Sequence, residues 1–384
     1  YFNVSQFTNY SVGDIVDCGD TITSSTTLIR NMTCSETGIV IGADDIVLDC
    51  DGKTINYSTS GESWGRGVYN TGYHNVTIQN CNFVRGNASG NHGHAINFQV
   101  SRNHTILNNT ITTFGSSNHG VLLVNVMTSN VINNTIIVED DLEGGIRLEL
   151  NSDSNNLSNN VITANGNNSL GILFTSSSSS NIATNNTIIT RGNDSGGILI
   201  YSTGNNVVNN TITTEGNGSE GIFVAAASRL LYNNITTKGI NSTGMYFQSS
   251  SESNITGNKI NTSKTYSDIF RMWHSSNDNL FQNNTIVQSG RDVIRLDSSG
   301  DNYPKRNTFT NNSFMNIAGY DLNIMDEGIN GTYLVGQVIT NYSINNSIVY
   351  FKENSYGEIR YLEAIKGSGD NLSADIQIDN NSIY

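Results

Sequence analysis

The sequence predicts an all-β chain, a parallel β-helix solenoid of about ten to twelve coils with a β cap at each end. Three observations carry the prediction. The first is a phrase, apolar-x-Asn-Asn-x-apolar, whose first Asn falls at Asn80, Asn108, Asn133, Asn159, Asn185, Asn209, Asn233, Asn283 and Asn311, with Gly257 in the one vacant place. The steps run 28, 25, 26, 26, 24, 24, 24, 26 and 28 residues, a period that suits one three-strand coil. The second is a pair of apolar columns in register with that phrase. One holds Ile78, Ile106, Val131, Leu157, Ala183, Val207, Leu231, Ile255, Phe281 and Phe309. The other holds Phe83, Ile111, Ile136, Ile162, Ile188, Ile212, Ile260, Ile286 and Phe314, interrupted at Thr236. The third is strand-length apolar or alternating runs such as Gly145–Leu150, Gly171–Phe174 and Gly197–Ile200, bounded by Ser, Asn and Gly.

The elements follow in chain order. Residues 1–44 hold strand-like phrases, Tyr1–Phe7 and Thr37–Gly42, with irregular connections, and are expected to cover the N-terminal end of the solenoid. Residues 45–315 are the helix proper. Coils stacked at roughly 4.8 Å place like residues over like residues, so the apolar columns become a continuous core. The first Asn of each pair shares parity with the apolar residue two before it. It is therefore expected to point inward and to hydrogen-bond its equivalents above and below, as a buried amide requires. Residues 316–384 lose the phrase but keep strand-like segments, Tyr333–Ile339, Ser347–Phe351, Tyr356–Leu362 and Ala374–Ile378, a terminal β region that continues or caps the helix.

Composition narrows the function. Hydrophobic residues make up 36% of the chain and charged residues only 14%, as expected of a thin core under a surface of Asn, Ser, Thr and Gly. The single proline, Pro304, suits a ladder that can spare few N–H donors. A net charge of −14 disfavours nucleic acid and anionic membrane surfaces as partners. No apolar run approaches the roughly 20 residues of a membrane span. A secretory leader removed ahead of Tyr1 accounts for the absence of an initiator Met, and an arbitrary chain boundary does so equally. Cys18, Cys34, Cys50 and Cys81 lack paired zinc-ligand spacing. They read either as two disulfides formed in an oxidising compartment, Cys18–Cys34 and Cys50–Cys81, or as buried thiols stacked in the helix.

The phrases Asp45–Ile55, Asn75–Cys81 and the repeated Asn-Asn-Thr-Ile units resemble the right-handed parallel β-helix repeat family, most nearly the NosD-like and related surface proteins of archaea and some uncultured bacteria. The resemblance spans nearly the whole chain and implies the fold and its hand. That fold hosts lyases, epimerases, adhesins and structural proteins, so it implies no single activity.

Catalytic readings find little support. Asn91–His94 superficially matches a Gly-His-Gly phrase of polygalacturonases, but the family's preceding carboxylates and following Arg-Ile-Lys are missing. It reads as a polar turn with His92 and His119 on neighbouring coils. Trp273–His274 reads as ordinary strand, occupying the place of Tyr201 and Phe247 in other repeats. Glu139–Glu143 reads as a solvated acidic turn in preference to a calcium site. Arg295 and Asp297 read as a surface charge pattern shared with the next coil. No catalytic, cofactor-binding or metal-ligating residue is assigned, and the chain is read as more plausibly not an enzyme.

The surface is more informative. Twenty-six Asn-x-Ser/Thr triplets occur. Four stand eight residues after the phrase in consecutive coils, Asn167, Asn193, Asn217 and Asn241, with Asn87 one residue out of register. These five are the expected N-glycan sites, while Asn108, Asn133, Asn185, Asn209, Asn283 and Asn311 are expected to lack sugars because their amides turn inward. The resulting reading is an extracellular, N-glycosylated cell-surface protein that polymerises head-to-tail into a filament, sheath or layer. Its contacts would be strand-like ends, through Tyr1, Phe2, Val4, Ile376, Ile378 and Tyr384. The alternative is an extracellular carbohydrate-binding or polysaccharide-modifying protein.

Overall fold

The computed structural model describes residues 15–297 apart from 62, 88, 91 and 292, together with 304, 307–310, 312–314, 322–325, 338–340 and 343–344. The six residues expected to join subunits, Tyr1, Phe2, Val4, Ile376, Ile378 and Tyr384, lie outside the described residues, as does Asn311. Three parallel sheets of thirteen strands each wrap one core, and no helix occurs among the described residues. Sheet A runs from Asp20–Ile22 to Leu322–Met325, sheet B from Thr26–Thr27 to Val338–Thr340, and sheet C from Met32–Thr33 to Ser343–Ile344. Each strand pairs with the strands one coil before and one coil after, so the chain visits A, B and C in turn. Strands appear already at Asp20 and continue beyond 316, so both flanking regions contribute coils to the same three sheets.

Like stacks on like, as the period requires. Val131 lies between Ile106 and Leu157 in sheet B, and Ile188 between Ile162 and Ile212 in sheet C. These columns, with Ile146, Ile172, Ile198 and Ile222 of sheet A, fill the interior without exposure. Sheet A enters through glycines for a steric reason. A Cβ at Gly171, Gly197 or Gly221 would collide with Ile188, Ile212 or Ile235 across the core.

The structure corrects the expected ladder by one residue. Except at Asn233-Asn234, the second Asn of each described pair points inward and the first lies outside. Asn109, Asn134, Asn160, Asn186, Asn210, Asn233, Asn258, Asn284 and Asn312 are all buried. Asn108, Asn133, Asn159, Asn185, Asn209 and Asn283 are exposed, with φ near 55°. That left-handed backbone, which Asn tolerates better than most residues, turns the corner between sheets B and C and breaks the alternation on which parity rests. Gly257, at φ 68°, takes the same corner place, so the inner ladder passes through Asn258 unbroken. In one coil Tyr232 takes it. The pair Asn233-Asn234 therefore sits one residue late and the inner residue is Asn233; Leu230 takes the place expected for Leu231 in one column, and Ile235 completes the column interrupted at Thr236.

The inner amides from Asn134 to Asn284 use their full hydrogen-bonding capacity. Asn134 Nδ2 donates back to Ile106 O at 2.9 Å and forward to Asn160 Oδ1 at 3.1 Å, and Asn134 N–H donates to the same Oδ1 at 3.0 Å. The pattern repeats from Asn109 to Asn312, and Cys81 N–H opens it by donating to Asn109. Two further ladders line the other corners. Between A and B, Ser129, Asn155, Asn181 and Asn205 follow one another. Between C and A, the backbone N–H of Ser169, Ser195, Ser219 and Ser242 each meets the hydroxyl of the next serine, the last being Ser267. Disulfides join Cys18 to Cys34 and Cys50 to Cys81.

The corner geometry makes a paired prediction. Asn160→Ala strands the N–H and Nδ2 donors of Asn134 and the carbonyl of Val131. It should cost about 2–4 kcal/mol, read as a lowered thermal midpoint. Asn159→Gly, at an exposed left-handed position, should change stability by less than about 1 kcal/mol. Equal effects of the two changes would contradict the inward assignment of the second Asn.

Candidate functional site on the outer face of sheet A

Sheet A differs from the other two in what it turns outward. Alternation along its strands aims Ile and Val into the core and sends the intervening residues out. Register then stacks the outward set into one column, Tyr69, Asn97, Leu122, Arg147, Leu173, Leu199, Phe223, Tyr246, Arg271 and Arg295. Leu122, Leu173 and Phe223 are nearly inaccessible yet stand apart from the central core, covered by their long neighbours on the face.

Two clusters form on this face. In the later coils Phe223 lies 5.1 Å from the ring of Tyr201 and 5.4 Å from that of Tyr246. The guanidinium of Arg271 sits 5.0 Å over Tyr246. Glu220 precedes Phe223 by three residues. Burial pushes its carboxyl up to about 7, a shift that Asp194 reinforces and Arg271 opposes. Asp268 is buried and held by Arg291, whose Nε lies 2.7 Å from Oδ1, with Arg295 at 3.9 Å. Arg295 thus reaches back to the preceding coil.

In the earlier coils Trp64 stacks on His92 at 4.5 Å, and Arg66 lies 4.3 Å over Tyr69. The neighbouring-coil histidines are His94 and His119, stacked at 5.0 Å, whereas sequence reading paired His92 with His119. His119 N–H donates to His94 Nδ1 at 3.0 Å, and Gly144 N–H donates to His119 Nδ1 at 2.9 Å. Both neutral rings therefore carry their proton on Nε2. Burial, then Arg147, holds His119 down at about 3, and His94 is also well below its ordinary value, chiefly through burial. This pair is a fixed element of the wall at neutral pH.

Other expected features find different places. Trp273 shares an outward column with Gln248 and stacks on His274 at 4.1 Å, whereas Phe247 points into the core beside Met272. The acidic run Glu139–Glu143 is bound into neighbouring coils. Glu139 accepts from Asn165, Asp140 from Gly115 and Asp141 from Asn167. Glu143 is not solvated but buried, which pushes its carboxyl up to about 9. No group of three or more metal-ligating side chains capable of holding an ion occurs among the described residues.

Asn167, Asn193 and Asn217 form an exposed column. The Oδ1 of Asn167 accepts from Asn193 N–H and that of Asn193 from Asn217 N–H, each at 2.9 Å. Asn241 is exposed but one residue out of register, because Ile240 donates to Asn217 in its place. Asn87 is half-buried, its Nδ2 3.5 Å from Thr59 O. The Tyr201–Glu220–Phe223–Tyr246–Arg271 cluster leaves no hydrophobic period in the sequence, because its members lie on the outer side of the coils. The alternation within Glu220–Val224 carried the signal.

Residues 44–213 and 190–348 match the sequence pattern described as a right-handed beta helix region. No curated protein matches the chain. Among solved structures, the surface protein and adhesin PfbA of Streptococcus pneumoniae is 15% identical, with a TM-score of 0.44 over 80% of this chain and 84% of that one. A tailspike protein of E. coli bacteriophage HK620, solved with a pentasaccharide, is 11% identical, with a TM-score of 0.45 over 86% and 71%. The catalytic domain of a GH87 alpha-1,3-glucanase is 14% identical, with a TM-score of 0.41 over 84% and 62%.

The buried Glu143 gives a pH test. Its folded pKa stands above the ordinary value of 4.5, so the folded chain holds the proton more tightly than the unfolded chain does. Its favourable contribution is complete below pH 4.5 and is lost as pH rises toward about 9. Glu143→Gln should match the parent in thermal midpoint near pH 4 and exceed it at pH 8. The gap should widen by up to about 1.4 kcal/mol per pH unit.

Proposed function

The chain belongs to the right-handed β-helix family, and on that footing we propose that it is an extracellular carbohydrate-binding protein whose ligand lies along the outer face of sheet A. The observation that carries this reading is the pair of accessible rings Tyr201 and Tyr246, braced by the nearly buried Phe223 between them and flanked by Glu220 and Arg271. A pyranose ring has apolar C–H faces and a hydroxyl rim. Aromatic surface suits the faces, and a carboxyl with a guanidinium suits the rim. The stacked coils repeat their side chains at roughly 4.8 Å, which favours an extended ligand lying along the axis over a compact one. The two disulfides support an oxidising, extracellular setting.

A second reading, an exported surface glycoprotein that assembles end to end, draws on the exposed Asn167, Asn193 and Asn217, whose Oδ1 atoms are engaged while their Nδ2 atoms have no hydrogen-bond partner among the described residues. The two readings are compatible, since the sheet A face and the coil ends are different surfaces.

Titration calorimetry against neutral and acidic oligosaccharides tests the carbohydrate reading. Tyr246→Ala should weaken binding about tenfold or more, a loss of about 1.4 kcal/mol. Glu220→Gln should flatten the change in affinity between pH 6 and pH 8, because the parent carboxyl titrates at about 7. Unchanged affinity in Tyr246→Ala, or no binding by the parent to any oligosaccharide, would remove the reading.

A further inference from the structure

We propose that the corner between sheets B and C is a row of N-glycan acceptor sites at Asn108, Asn133, Asn185, Asn209 and Asn283. Each begins an Asn-x-Thr triplet, completed by Thr110, Thr135, Thr187, Thr211 and Thr285. The inference is independent of the saccharide-binding reading of sheet A.

Three features of the corner support it. All five Asn side chains are exposed and make no hydrogen bond among the described residues. The threonines are accessible as well, the first four exposed and Thr285 half-buried. The inner partners Asn109, Asn134, Asn186, Asn210 and Asn284 carry the ladder instead, so sugar on the outer Asn disturbs no structural bond. The contrast with the Asn167 row is sharp. There the serine of each triplet, Ser169, Ser195 or Ser219, is wholly buried in the corner ladder, and each Asn Oδ1 is engaged. That row is open to modification only before its coils stack, whereas the B–C row presents both recognition groups on the finished surface.

The chemistry is transfer from an oligosaccharide linked through phosphate to an isoprenoid lipid. Asn Nδ2 attacks the anomeric carbon, forming the N–C1 bond. The C1–O bond to phosphate breaks and its electron pair leaves with the lipid phosphate, while the displaced Nδ2 proton passes to a base of the transferase. No oxidation occurs.

The row contains its own controls. Asn159 has the same exposed, left-handed corner geometry but is followed by Val161, so it lacks the hydroxyl. Tyr232 and Gly257 interrupt the row elsewhere. The full chain, secreted from a host that performs N-glycosylation, is analysed by intact glycopeptide mass spectrometry. Glycans are expected on Asn108, Asn133, Asn185, Asn209 and Asn283, and none on Asn159. Thr187→Val should remove one glycan mass at Asn185, and Val161→Thr should add one at Asn159. Both changes lie on the outer side of sheet C and leave the inner ladder intact. The proposal is overturned if the five sites are bare, whether or not Asn167, Asn193 and Asn217 carry sugar, or if Val161→Thr leaves Asn159 unmodified.

Discussion

Everything in this molecule depends on one bifurcated contact at a corner, in which the Oδ1 of an inner asparagine receives both the backbone N–H and the Nδ2–H of the asparagine one coil earlier. The second Nδ2 proton is donated backward to a carbonyl of the coil before. One side chain thereby ties three successive coils. A parallel sheet alone tolerates slippage by two residues, since side-chain facing is restored. The amide ladder does not, because it fixes which residue occupies the corner. With register fixed there, the apolar columns, the glycine entry into sheet A and the composition of the outer faces all follow.

The fold was legible in the sequence because stacking converts a spatial column into a linear period. What parity could not supply was the corner backbone. Asn133 and Asn134 look equivalent as letters, and only the left-handed φ of Asn133 sends the second residue inward. The same one-residue displacement explains the apparent break at Thr236, because Tyr232 replaces Asn at the corner and Ile235 restores the column. The serine ladder was hidden for another reason. Ser169, Ser195 and Ser219 read as parts of surface triplets, whereas their hydroxyls are interior. The site was least legible. An outward column has no hydrophobic period, and Glu220, Phe223, Tyr246 and Arg271 become neighbours only once the coils are stacked.

The three faces are chemically distinct although the same winding makes them. The corner between B and C presents mainly asparagine and threonine, with Tyr232 in one coil. The outer face of sheet A gathers aromatic rings, the stacked Arg271 and Arg295, and Glu220, whose acidity burial alters. A carboxyl moved to about 7 by burial on an outer face is uncommon in structural repeats, where acidic groups are usually solvated or paired. Asp268 illustrates the paired kind, and the acidic run at Glu139–Asp141 illustrates carboxylates bound to backbone and amide donors of the coils before and after.

The spacing between successive inner ladder residues ranges from 23 to 28, yet the ladder never breaks. Length is absorbed in the connections, while each corner meets its neighbour identically. A chain of this kind has a unit of inheritance larger than the residue. Whole coils can be duplicated or lost, with the flanking amides closing the gap, so the length of the rod is open to change by recombination while its cross-section is conserved. Any surface feature borne by one coil is copied with it, which is how a single exposed asparagine or ring becomes a row.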